Sequence, residues 1–68
     1  MYKTKLVEWS DGEADFSVEC IYEEDWPGHE DEWIPDMVTL EVSNGKHYTA
    51  GSDAHNYIRR MANELANA

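Results

Sequence analysis

Residues 23–36 read EEDWPGHEDEWIPD, and this acidic segment separates two halves of the chain that both show the patterning of regular structure. Seven of its fourteen residues are acidic, two are tryptophan and two are proline. Pro27 and Pro35 interrupt regular structure and restrict the residue before each of them to extended geometry. A connection of this length in a small domain predicts a loop with a function of its own.

The residues before the acidic segment predict a β-hairpin over residues 2–22. Apolar and polar residues alternate on both sides of Asp11-Gly12, which is a strong two-residue turn signal. Counting outward from that turn places Glu8 directly opposite Asp15, and like charges in that arrangement are destabilising. The pattern therefore indicates either a solvated face or a different register, or else an acidic surface that is kept because a partner uses it.

The residues after the acidic segment predict a second hairpin and a helix. Asn44-Gly45 favours a type I′ turn and therefore a hairpin over residues 37–50. Residues 52–66 have the apolar spacing of an amphipathic helix. The predicted stripe consists of Tyr57, Ile58, Met61 and Leu65, helped by Ala54 and Ala62.

These elements predict an α+β fold in a single domain of residues 1–68. The predicted architecture is a small antiparallel sheet of about four strands, in two hairpins, with one C-terminal helix packed on one face. Tryptophan is rarely left fully exposed, so Trp26 or Trp33 is expected to fold back over the core.

The composition limits the classes of function. Fifteen acidic residues against five basic ones give a formal net charge of −10, which repels phosphate backbones and anionic lipids. We therefore expect no direct binding of nucleic acid or membrane. A single cysteine, Cys20, excludes an internal disulfide and indicates a reducing compartment. With no signal-peptide pattern and no apolar run of membrane-spanning length, we expect a cytoplasmic protein.

Catalytic and metal-binding patterns are weak. The chain has no nucleophile elbow, phosphate-binding glycine loop or HExxH helix, so we do not expect an enzyme. His29 and the three acids after it offer four donor side chains in a row, but their order does not match a calcium-binding loop. We expect neither a resident metal nor a cofactor.

Protein binding through charge is the function that the sequence favours most. Carboxylates along a sheet can imitate the phosphate array that basic nucleic-acid-binding surfaces recognise. Small acidic proteins of viruses and mobile elements inhibit nucleic-acid enzymes in this way, a parallel of composition only. The tryptophans would anchor the interface if they are not core residues. The expected partner-binding residues are Glu8, Asp15, Glu19, Glu23, Glu24, Asp25, Trp26, Glu30, Asp31, Glu32 and Trp33.

An assembly module is the alternative. A small core and open sheet edges would both be relieved by homodimerisation, with no inhibitory role. Salt separates the two hypotheses, because added salt weakens an electrostatic complex and leaves an apolar self-association largely unchanged.

Overall fold

The computed structural model describes residues 2–23 and 32–68. These form three strands and one helix, in the order β1 (Tyr2–Ser10), β2 (Asp15–Glu23), β3 (Ile34–Val42) and α1 (Asp53–Ala66). The strands make an antiparallel sheet in the order β1-β2-β3. The predicted α+β class and C-terminal helix are confirmed.

The first hairpin has a four-residue loop, and the predicted two-residue loop is wrong. The Asp11 carboxylate accepts the backbone N–H groups of Glu13 at 2.9 Å and of Ala14 at 3.0 Å, which closes a wider turn. The register moves by two residues, so every side chain keeps its predicted face. Glu8 now lies opposite Ser17 instead of Asp15, and the predicted like-charge pair does not form.

The third strand begins inside the acidic segment, which we had expected to be a loop as far as residue 36. Ile34 pairs with Ile21 and Pro35 with Cys20. Proline is tolerated here because β3 is an edge strand. The register then shifts, so that residues 37–40 of β3 lie opposite the single residue Val18.

The predicted second hairpin is not formed by residues 37–50, and within residues 2–23 and 32–68 the sheet has three strands, where about four were predicted. The Gly45 N–H donates to the Val42 carbonyl at 3.3 Å, so the turn is centred one residue earlier than Asn44-Gly45. The Lys46 N–H, which a hairpin would pair with the facing strand, donates to the Asn44 side chain at 2.9 Å. This local side-chain bond competes with strand pairing, and residues 43–52 contain no strand.

The helix joins the core through small residues. Ser52 is its N-cap and accepts the His55 N–H at 3.2 Å. The buried helix positions are Ile58, Ala62 and Ala66, spaced four residues apart. Tyr57 and Leu65 of the predicted stripe are instead 45% and 41% exposed. The buried stripe is thus rotated about the helix axis relative to the predicted one, and its two alanines allow the helix to approach the sheet closely. The helix residues cluster with Val7, Ala14, Phe16, Val18 and Cys20.

Candidate protein-binding surface

The sheet face opposite the buried side chains of Phe16, Val18 and Cys20 is acidic, and we call it the outer face. Side chains alternate along a strand, and directly paired residues share a face. The register therefore assigns six carboxylates to the outer face. They are Glu8, Asp15, Glu19, Glu23, Asp36 and Glu41. Of the expected partner-binding residues, the structure brings together the four in β1 and β2.

The six carboxylates fall into two groups of three, each lining a shallow depression. Glu8, Asp15 and Glu41 surround a depression of about 240 Å³, and all three are exposed. A second depression of about 320 Å³ lies further along the sheet beside the exposed Tyr2. Its carboxylates are the half-buried Glu19, Glu23 and Asp36.

The carboxylates are spread out rather than convergent. Glu8 and Glu41 flank Ser17 from the two edge strands, which places their backbones about 10 Å apart, two strand spacings. Within residues 2–23 and 32–68, no three His, Cys, Asp or Glu side chains are grouped to hold a metal ion. Each depression therefore presents negative charge to a broad positive group, such as a guanidinium, and lacks the close ligand set of an ion site.

The positive residues all lie elsewhere. The five lysines and arginines of the chain are Lys3, Lys5, Lys46, Arg59 and Arg60. Lys3 and Lys5 lie on β1 at positions that share a sheet face with the buried residue Val7, opposite the outer face. Lys46 follows β3 in the sequence and lines a depression together with His55. The arginines lie exposed on α1, in a groove with Ile34 and Pro35. The outer face thus carries six acids and no lysine or arginine, although the residues on it come from all three strands.

Trp33 packs against the core, which agrees with the prediction that Trp26 or Trp33 folds back over it. Its ring is half-buried, packs against the buried cluster and is 5.4 Å from the Tyr22 ring. Its backbone N–H donates to the Asn67 side-chain oxygen at 2.7 Å, and its carbonyl accepts from the Asn67 side-chain amide at 3.0 Å. This two-point contact ties the end of the acidic segment to the end of the helix.

Lys5 strengthens the same junction. Its Nζ donates to the Ala66 carbonyl at 2.6 Å and lies 4.7 Å from the centroid of the Trp33 ring. A cation at this position opposes the negative end of the helix dipole and is attracted to the face of the ring.

The remaining expected residues are not brought onto the outer face. Glu32 is half-buried and its carboxylate accepts the Asn63 side-chain amide at 3.4 Å, beside the helix. The rest of the predicted set lies outside the described residues, namely Glu24, Asp25, Trp26, Glu30 and Asp31.

Two carboxylates of the outer face, Asp36 and Glu41, were absent from the predicted set. The sequence pattern assigns Asp36 to the end of the acidic loop and Glu41 to a second hairpin. The sequence signal that could have found Glu41 is its place between Leu40 and Val42, which marks it as the polar member of an alternating strand. Assigning it to the first sheet required the β2-β3 pairing, which the structure supplies.

Among the described residues, Asp11 and Cys20 have shifted pKa values, and both lie away from the outer face. The backbone N–H groups of Glu13 and Ala14 lower the pKa of Asp11 because they favour its charged form. Burial raises the pKa of the Cys20 thiol, an effect that the nearby Lys5 charge partly offsets. A buried thiol with a raised pKa is a poor nucleophile, so Cys20 acts as a small core residue.

Within the described ranges, no helix is long and apolar enough to cross a membrane. Comparisons of this chain with protein-family models, curated proteins and solved structures found no match.

Proposed function

We propose that this protein is a cytoplasmic inhibitor that binds the basic, nucleic-acid-binding surface of another protein, with its outer face standing in for nucleic acid. The observation that carries this proposal is the separation of charge. Six carboxylates from three strands share one face, and all five lysines and arginines lie elsewhere. An evenly solvated acidic protein needs no such separation, whereas a surface that attracts a basic partner does.

The two depressions define what the partner must present. Each is wide enough for one arginine or lysine side chain, and arginine matches carboxylate groups best because its planar group donates in a fork. Measured along β2 from Ser17 to Ile21, the two sites are about 13 Å apart, four residues of extended chain. The partner should therefore carry at least two basic side chains at about that spacing.

The spacing of the carboxylates determines how long a stretch of duplex DNA the outer face can imitate. Six carboxylates along a nine-residue strand of about 30 Å give about one charge per 5 Å. Duplex DNA carries one per about 1.7 Å, roughly three times as many. The outer face alone therefore replaces only a short stretch of duplex, and the acids of the acidic segment are needed to extend the array. Glu24, Asp25, Glu30 and Asp31 are proposed for that role, whereas Glu32 contacts the helix residue Asn63 and is left out of the array.

The helix and the tryptophans have separate roles in this proposal. Three helix residues belong to the same buried cluster as the side chains on the face opposite the outer face, which we call the inner face, and this supports assigning the outer face to the partner. Trp33 holds the end of the acidic segment to the helix through its contacts with Asn67 and Lys5. Trp26 remains the proposed aromatic anchor, since large aromatic side chains supply much of the energy of protein interfaces.

A pair of matched variants tests the proposal. Glu8→Gln/Glu41→Gln removes two exposed charges from one depression, and Glu13→Gln/Glu64→Gln removes two exposed charges from the turn and the helix. Both change the formal net charge from −10 to −8. Each protein is immobilised and used to capture proteins from a lysate, which are eluted with a salt gradient or with duplex DNA.

We expect wild type and the turn–helix variant to retain a nucleic-acid-binding protein that duplex DNA displaces. The outer-face variant should bind it at least about tenfold more weakly, because each desolvated ion pair contributes about 1 kcal/mol or more. Equal loss in both variants would show that net charge alone attracts the partner, and unchanged binding in the outer-face variant would remove the outer face from the interaction.

A further inference from the structure

The sheet ends in two edge strands, and they differ in how they resist pairing with a further strand. β3 contains Pro35, which has no backbone N–H to donate, followed by the irregular stretch 37–40. The Val38 N–H is taken by the Asp36 carboxylate at 3.2 Å. A proline and an irregular stretch are among the means by which natural edge strands avoid edge-to-edge association.

β1 has none of these features. Its nine residues contain no proline or glycine, and they pair with β2 in unbroken register from Tyr2 to Ser10. No strand in residues 2–23 and 32–68 pairs with its other edge. Charged lysines can also protect an edge, but Lys5 is already engaged with the helix terminus. A long, regular strand with an unpaired edge is a template for another strand.

Exposed apolar side chains lie on the same strand. Leu6, the central residue of β1, is 59% exposed, and Tyr2 at its start is 63% exposed. An exposed leucine on a sheet face is stabilised when a second apolar side chain covers part of it, because apolar surface is removed from water. The apolar centre and the unpaired edge thus point to the same occupant, another strand with an apolar centre.

We propose that β1 pairs antiparallel with β1 of a second copy of this chain, about a two-fold axis at Leu6. All nine residues then find a partner, and no pair places like charges opposite each other. The axis sets Leu6 against itself, which buries the exposed leucines together. The other pairs are Tyr2 with Ser10, Lys3 with Trp9, Thr4 with Glu8, and Lys5 with Val7.

Neighbouring registers of the same strand are less favourable. An axis at Lys5 would set two lysines directly opposite each other, and an axis at Val7 would set Leu6 against Glu8. The axis at Leu6 is therefore the self-complementary choice, as a two-fold interface requires.

The dimer would contain one continuous six-stranded sheet with a doubled outer face. Its formation does not depend on what the outer face binds. Each copy carries a formal charge of −10, so the two copies repel each other at a distance. Added salt screens that repulsion and should strengthen the dimer, whereas it should weaken binding of a basic protein. The two interactions are thus distinguished by the sign of their salt dependence.

Disulfide cross-linking tests the register. Leu6→Cys places two thiols opposite each other at the axis, where paired Cα atoms are about 4.5–5.5 Å apart and a disulfide can form. Thr4→Cys is the control, because it lies on the same strand and face but about 13 Å from its symmetry mate in this register. The native Cys20 is fully buried and does not compete. We expect at least tenfold faster cross-linking of Leu6→Cys; equal rates, or no cross-link, would overturn the proposal.

Sedimentation velocity tests the interface without a cross-link. Wild type is measured from about 1 µM to about 500 µM, the range expected for a small interface. Leu6→Lys puts two positive charges at the axis and should weaken the dimer at least about tenfold. Val38→Lys, at a 94% exposed residue of the protected edge, should leave it unchanged. A wild type that stays monomeric, or a dimer disrupted only by Val38→Lys, would contradict the proposal.

Discussion

The inner and outer faces of the sheet are built from the same three strands but differ in burial and in polarity. The inner face collects Val7, Phe16, Val18 and Cys20, which cluster with three helix residues and are almost fully buried. The outer face collects six carboxylates and the exposed Leu6. The inner face therefore determines the stability of the domain, and the outer face is free to be specialised for binding. Substitutions on the two faces should separate these roles.

The largest expected effect comes from shortening a core side chain. Ile58 is 1% exposed at the centre of the buried cluster, so Ile58→Ala should lower the free energy of unfolding by about 3 kcal/mol, through lost burial and a cavity. The matched change on the outer face, Ile21→Ala, should cost about 1 kcal/mol because that side chain is only half-buried. Urea unfolding followed by circular dichroism measures both values.

A domain of this size has only about 3–10 kcal/mol of stability, so Ile58→Ala could be unfolded before urea is added. Ile58→Val, expected to cost about 1 kcal/mol, keeps the comparison measurable when it is set against the same change at the half-buried site, Ile21→Val, which should cost less than about 0.5 kcal/mol. Equal costs at positions 58 and 21 would show that the two faces do not differ in burial as described.

A smaller loss of stability is expected from substitutions at the junction of the acidic segment and the helix. Trp33→Ala removes the ring that packs against the core and under the Lys5 ammonium, and should cost about 2 kcal/mol. Trp33→Phe keeps an aromatic face and should cost less than about 1 kcal/mol. The thermal midpoints of the two variants measure the difference. A partner that is lost with Trp33→Ala at unchanged stability would instead make Trp33 an interface anchor.

The smallest expected effect is a pH dependence at the hairpin turn. Hydrogen bonds hold the pKa of Asp11 below its ordinary value of 3.8. Its carboxylate therefore contributes stability that is complete above that value and is lost as the pH falls below it. Asp11→Asn keeps an oxygen for the turn but does not titrate.

The stability difference between wild type and Asp11→Asn should therefore be constant from about pH 5 to 7 and shrink towards about pH 2.5. Denaturant unfolding at several pH values measures it, with Glu13→Gln as the control for a nearby acid whose side chain does not close the turn. A difference that stays constant across the acid range would show that the Asp11 carboxylate is not what stabilises the turn.

The sequence predicted the elements better than their connections. Alternation assigned each β1 and β2 side chain to the correct face, because a register error of two residues leaves the faces unchanged. It failed at both turns for one physical reason: the side chains of Asp11 and Asn44 bond to nearby backbone N–H groups and widen or redirect the turn. The alternation of apolar and polar residues carries no information about such local hydrogen bonds.

The candidate site was predicted in part for a related reason. Glu8, Asp15 and Glu19 were identified because β1 and β2 are adjacent in the chain, whereas Glu23 was predicted as part of the acidic loop and lies at the end of β2. Asp36 and Glu41 reach the outer face only through the pairing of β3 with β2. The irregular stretch at residues 37–40 shifts that register, and nothing in the alternation of apolar and polar residues predicts where it falls.

The most direct test of the account combines stability and binding in one variant, Glu8→Gln/Glu41→Gln. If these carboxylates are kept for a partner, their removal relieves repulsion on the outer face, so the free energy of unfolding at low salt should stay equal or rise by a few tenths of a kcal/mol. Capture of a nucleic-acid-binding protein that duplex DNA displaces should fall at least about tenfold. A variant that is clearly less stable, or one that binds as well as wild type, would contradict the central claim that the outer face is a binding surface.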